Sequence, residues 1–154
     1  MAPDRCLFCG IAAGHIPSHR VAESENLVAF LDIAPIRPGH VQIVPRAHHP
    51  YFDDLPPALA SEVVQLGQRL ARALKRIYGV ERVAFVFTGG DVAHAHAHLV
   101  PMVEGDDITS RRYIAEAVVT YRDPPRPPAA EQEERASRIR AELAAERSGD
   151  QASA

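Results

Sequence analysis

Three histidines, His94, His96 and His98, alternate with three alanines in the run AHAHAHLVP. Side chains alternate faces along a strand, so this spacing predicts three imidazoles on one face. Ala93, Ala95 and Ala97 then fall on the other, where small residues let a helix pack closely. Imidazole suits two kinds of chemistry here. Three in register could share one metal ion. Alternatively, a neutral one could attack phosphorus and carry a covalent intermediate. Gly89-Gly90 just precedes the run. A glycine turn can cradle phosphate oxygens with its backbone N–H groups, or simply reverse the chain. A second constellation is Cys6 and Cys9, spaced C-x-x-C. Such a pair can be redox partners, metal ligands or small buried hydrophobes. As a zinc site it would need two more ligands from elsewhere.

The composition bounds what surrounds these residues. The chain has 154 residues, 46% hydrophobic and 24% charged, which is one globular domain's worth. Its net charge of -3 gives no basic excess for a nucleic-acid duplex or an anionic membrane surface. Two cysteines are too few for a disulfide framework, and their spacing favours a reducing compartment. The start, MAPDRCLFCG, has no apolar signal region, and no apolar run approaches a bilayer span. The expectation is a cytoplasmic protein. Of the other histidines, His15, His19 and His40 read as loop or surface residues, with His40 closing a turn after Pro38-Gly39.

The elements that must position the site follow from periodicity. Residues 6–13 form a short apolar segment. Residues 20–22 and 27–31 read as strands joined by a Ser24-Glu25-Asn26 turn, and 40–45 (HVQIVP) as a third. Leu59, Val63, Leu66, Leu70, Leu74 and Ile77 recur at spacings of three and four, predicting a helix from Pro56-Pro57 to Tyr78, stopped by Gly79. Residues 83–87 and 92–103 read as two more strands. Residues 123–130 (DPPRPPAA) break regular structure. Residues 129–147, rich in Ala, Glu and Arg, read as a charged, exposed helix before a frayed tail. The division expected is 1–122 for the main domain and 123–154 for a Pro-rich linker, helix and tail.

The run His94-Ala95-His96-Ala97-His98-Leu99-Val100-Pro101 resembles the histidine triad (HIT) motif, His-φ-His-φ-His-φ-φ with φ apolar. Further blocks resemble the same family in the same order: Cys6-Leu7-Phe8-Cys9-Gly10-Ile11, Ile16-Pro17, Ala29-Phe30-Leu31-Asp32-Ile33, Pro38-Gly39-His40 and Ile43-Val44-Pro45-Arg46-Ala47-His48. The resemblance covers residues 6–103 and is strongest to the Hint-like, nucleotide-binding branch. It implies an α+β fold: an antiparallel sheet of about five strands with one long helix, here with a C-terminal helical extension. It also implies a homodimer and a purine nucleotide substrate. His96 matches the family's nucleophile, which attacks the α-phosphorus of phosphoramidates, adenylylated compounds or dinucleoside polyphosphates without needing a metal. His98 matches the position that stabilises phosphate charge, and His94 one that organises the site. Phe8, Ile11, Phe30 and Ile33 match the base pocket, Asp32 the ribose acceptor, and Gly89 and Gly90 the phosphate loop. Zinc-binding relatives imply a structural Zn²⁺ on Cys6, Cys9, His48 and His94, with the adjacent His49 a competitor of His48 for the third position. The sequence departs from the branch in the short Thr88-Gly89-Gly90-Asp91-Val92 loop, which lacks its Asn, Gln and Ser donors and puts a carboxylate near the phosphate. Two other readings stand beside hydrolysis: a nucleotide-binding protein with little turnover, and a zinc hydrolase with metal on the triad.

Overall fold

A computed structural model describes residues 6–90, 92–103 and 126–151, the side chains of 147–151 excepted. Five strands form one antiparallel sheet: β1 (Arg20–Glu23), β2 (Leu27–Leu31), β3 (Val41–Pro45), β4 (Arg82–Phe87) and β5 (Ala97–Met102), in the order β1-β2-β3-β5-β4. Among the described residues three α-helices accompany it: α1 (Leu7–Ala13), α2 (Pro57–Tyr78) and α3 (Ala129–Gln151). Among the described residues no helix is long and apolar enough to cross a membrane. Asp91 and the expected boundary at residue 122 lie outside the described residues.

The two faces of the sheet are sorted by alternation. Leu27, Ala29 and Leu31 of β2, Val41 and Ile43 of β3, and Ala97 and Leu99 of β5 join Val63, Leu70 and Leu74 of α2 in one core. Val28, Phe30 and Val44 point the other way and pack with Phe8, Ile11 and Ala12 of α1. The site is built on this second face. Arg46, at the end of β3, holds α1 to it by donating to the Ala12 carbonyl at 2.8 Å and pairing with Glu23 at 2.7 Å.

Two expectations change. The strand expected over 92–103 begins only at Ala97. Residues 92–96 bend instead: the His94 N–H donates to the Val92 carbonyl at 2.8 Å, and the Ala95 N–H to the His49 carbonyl at 2.6 Å. The C-terminal helix is charged as expected but is not a free, solvated element. Gln132, Ala136, Ile139 and Leu143 are buried, three of them in the main core. Their spacing of four, three and four makes a single stripe. Ion pairs Arg76–Glu142 (2.8 Å) and Arg72–Glu146 flank it on α2.

One turn delivers His40 to the second face of the sheet. The His40 N–H donates to the Arg37 carbonyl at 3.1 Å across Pro38-Gly39, and Gly39 has φ 85°. Proline then glycine at the two central positions is the type II pattern, which needs a positive φ at the second. A Cβ on Gly39 would also meet the Tyr78 ring at 2.3 Å, so both backbone and space require glycine there.

Candidate active site and metal centre

His96 is buried at 6% exposure, its ring 4.9 Å from that of Phe8. Its Nδ1 lies 2.7 Å from the backbone carbonyl of His94. A carbonyl only accepts, so Nδ1 carries a proton, and in the neutral ring Nε2 is the nitrogen with the free lone pair.

His98 is the one triad histidine within a strand. It pairs with Gln42 on one side and Val86 on the other. Its Nδ1 sits 2.9 Å from His40 Nε2, and its Nε2 3.4 Å from Thr88 Oγ1. The chain of protons can be read from the backbone outward. The Ile36 N–H donates to His40 Nδ1 at 3.3 Å. The Asp32 carboxylate is 3.7 Å from that same atom, beyond hydrogen-bond reach, so the Ile36 contact decides its state. His40 therefore carries its proton on Nε2 and donates to His98 Nδ1. That leaves His98 with its own proton on Nε2, at the open end of the pair.

His40 is thus a site residue, buried at 3% exposure, and not the surface turn residue expected. A signal for it existed. The alternation of HVQIVP puts His40 and Gln42 on the face opposite Val41 and Ile43, which is the face of His98.

Burial pulls His98 down to about 4, His40 and His96 adding to the effect and Asp32 opposing it. Burial lowers His40 too, with Asp32 opposing. An unfolded histidine titrates near ~6.5. Between there and about 4, the unfolded chain takes up a proton that folded His98 refuses, so stability falls as pH drops through that window. Urea midpoints measured from about pH 7.5 down to about 4.5 are expected to decline, and to decline less steeply in His98→Gln. Equal slopes in the two chains would contradict this.

His94 faces elsewhere. It is fully buried and donates from Nε2–H to the Pro45 carbonyl at 2.9 Å, which leaves Nδ1 unprotonated. That Nδ1 is 3.4 Å from Cys6 Sγ and 3.5 Å from Cys9 Sγ, and His48 Nδ1 is 3.3 Å from Cys9 Sγ. The ligand atoms of Cys6, Cys9, His48 and His94 all lie within 4.8 Å of one another, a group that could hold a metal ion. Tetrahedral zinc with thiolate and imidazole bonds sets a sulfur-to-nitrogen edge of about 3.6 Å, so the spacing and the donor set fit that ion. The Pro45 carbonyl supplies the outer hydrogen bond that fixes a ligating histidine's tautomer. His49 contributes its backbone carbonyl to the Ala95 N–H and is not part of this group.

A metal shared by the three triad histidines is corrected by this arrangement. Their Nδ1 atoms face three different partners: the cysteine pair, the His94 carbonyl and His40. The cause is the bend over 92–96, which turns His94 and His96 out of strand register.

The nucleoside positions are partly brought together. Phe8, Ile11 and Phe30 form one buried cluster, with Phe8 touching both His94 and His96. Ile33 is 69% exposed beyond the end of β2 and is not in that cluster. Asp32 accepts from Gln42 Nε2 at 2.5 Å and from the Ala34 N–H at 2.8 Å. Gly89 and Gly90 are exposed, Gly89 with φ 63°.

A profile of the HIT domain matches residues 13–105. The chain belongs to the histidine triad family. An uncharacterized HIT-like protein of Mycobacterium tuberculosis is 32% identical over 126 residues, covering 79% of this HIT protein and 85% of the relative. An adenosine 5'-monophosphoramidase of Saccharomyces cerevisiae is 35% identical over 97 residues, 62% of this chain and 61% of that one. The crystal structure of a Zn-bound histidine triad family protein from Mycobacterium smegmatis superposes with a TM-score of 0.74 at 29% identity, covering 96% of this chain and 99% of that one. The five-stranded antiparallel sheet with its long helix is the fold the triad motif implied.

Proposed function

We propose that this HIT protein is a nucleotidyl hydrolase or transferase working through a covalent nucleotidyl intermediate on His96. The observation that carries the reading is the 2.7 Å bond from His96 Nδ1–H to the His94 carbonyl. It fixes the tautomer a nucleophile needs, and it stabilises the ring as positive charge develops on it. Nε2 attacks the α-phosphorus. The bond to the leaving group breaks, its electron pair goes to the leaving atom, and that atom takes a proton from solvent. Water then attacks the same phosphorus and releases a proton to solvent, the P–N bond breaks with its electrons returning to Nε2, and the mononucleotide departs. His98 Nε2–H is the donor for a non-bridging phosphate oxygen. It is held neutral and aimed by His40. The backbone N–H groups of Gly89 and Gly90 supply the remaining donors. None of these steps calls on a metal.

The base lies against Phe8, Ile11 and Phe30, with Ile33 at the outer edge. Asp32 accepts from the ribose hydroxyls. Zinc on Cys6, Cys9, His48 and His94 is structural, because four protein ligands leave no open position. When bound, it ties α1 to the segment that carries His96. The chain works as a homodimer. The support is the half-exposed edge strand β4, whose Phe85 ring covers Gly67 of α2, with Tyr51, Phe52 and Val64 also exposed.

The test is turnover on three substrate classes: adenosine 5'-phosphoramidate, an adenylyl-lysine compound and a diadenosine polyphosphate. Release of AMP from at least one is expected. Tight AMP binding without turnover on any of the three would instead make the protein a nucleotide-binding module.

A further inference from the structure

Gln132 lies outside residues 13–105, the stretch that carries the family match. It heads the buried stripe of α3, where the spacing calls for an apolar side chain, and it is only 4% exposed. Its amide bridges two elements: Nε2–H donates to the backbone carbonyl of Asp32 at 2.7 Å, and Oε1 accepts from Arg135 of the same helix at 3.3 Å. Asp32 is otherwise held by residues 34–42, the loop after β2 and the start of β3. Its N–H donates to the His40 carbonyl at 2.9 Å, and both carboxylate oxygens accept, from Ala34 and Gln42. The carbonyl sits where the β2 ladder ends, and α3 supplies the partner that a further strand residue would have given.

We infer that Gln132 is a positioning residue for the ribose end of the site, through which the C-terminal helix sets the affinity for the nucleoside. This rests on Asp32 being the ribose acceptor. The helix is anchored for the task. Ala136, Ile139 and Leu143 bury its face, and Arg140 pairs with Glu133 at 2.6 Å while donating to the Arg20 carbonyl on β1. Removing the Gln132 amide leaves the Asp32 carbonyl without its donor and loosens the start of the 32–40 loop. A hydrogen bond to ribose hydroxyls depends on the placement of that carboxylate. The phosphate chemistry at His96 does not.

The readout is the ratio of dissociation constants for 2',3'-dideoxy-AMP and AMP, measured by calorimetry on the full-length chain. Wild type is expected to favour AMP by about tenfold or more, the worth of a hydrogen bond to a charged acceptor. Asp32→Asn should bring the ratio near one. Gln132→Met, which keeps length but cannot donate, should lower it several-fold, and Gln132→Glu serves the same purpose if Met does not fold. Leu143→Ala, which thins the α3 packing away from Asp32, should keep the wild-type ratio. If Asp32→Asn collapses the ratio and Gln132→Met leaves it intact, the role of Gln132 is overturned while the ribose reading stands. An equal loss in Leu143→Ala overturns it as well, since general loosening would then account for the effect. If wild type shows no preference, or Asp32→Asn keeps it, the ribose reading falls and the inference with it.

Discussion

In His96→Asn, turnover is expected to fall by at least about a thousandfold, or roughly 4 kcal/mol of transition-state stabilisation, while AMP still binds within a few-fold of wild type. Asparagine is chosen because its amide can still donate to the His94 carbonyl, which His96 Nδ1 reaches at 2.7 Å. It also keeps a polar group beside the Phe8 ring. What it lacks is a nucleophilic nitrogen. The loss should therefore appear in kcat with little change in nucleotide affinity. Steady-state kinetics on the active substrate class, with calorimetry for AMP, separate the two. A variant with wild-type kcat would show that phosphorus is attacked by something other than His96.

The second large effect is on stability. Metal analysis should find about one zinc per chain, held by Cys6, Cys9, His48 and His94. A site bound at about a thousand times its dissociation constant contributes roughly 4 kcal/mol. For a chain of this size that corresponds to a Tm shift of about 8–16 °C. Chelation, or Cys6→Ser, should lower the thermal midpoint by that order. In the cold, where the chelated chain stays folded, turnover should persist, because no step runs through the metal. Unchanged stability after chelation would contradict a structural ion. Reversible loss of chemistry without loss of stability would contradict the metal-independent mechanism.

Much of this was legible locally. The spacing of Leu59 to Ile77 located α2, the alternation of HVQIVP located β3, and AHAHAHLVP marked the triad run. The bend over 92–96 was hidden because period-two alternation is also what a bent segment can spell. It is the contact with the His49 carbonyl that holds Ala95 out of the strand. The candidate metal group joins Cys6 to His94 across 88 positions, and only resemblance could pair them. His40 was misread because Pro38-Gly39 advertises a turn, although its place in the alternation pointed inward. The docking of α3 was masked by charge. Gln132, Ala136, Ile139 and Leu143 make a stripe too narrow to stand out among so many Glu and Arg residues, and one of its four members is polar.

In the proposed reaction one atom, His96 Nε2, carries the nucleotide. This is tested by mixing excess enzyme with the active substrate and quenching early in alkaline denaturant, which spares the acid-labile P–N bond. Digestion and mass spectrometry then locate the nucleotide. The expected result is a nucleotidyl adduct on the peptide containing residues 94–98, assigned to His96 by fragmentation and absent from His96→Asn. An adduct on His94 or His98, or none during turnover that His96→Asn retains, would contradict the account.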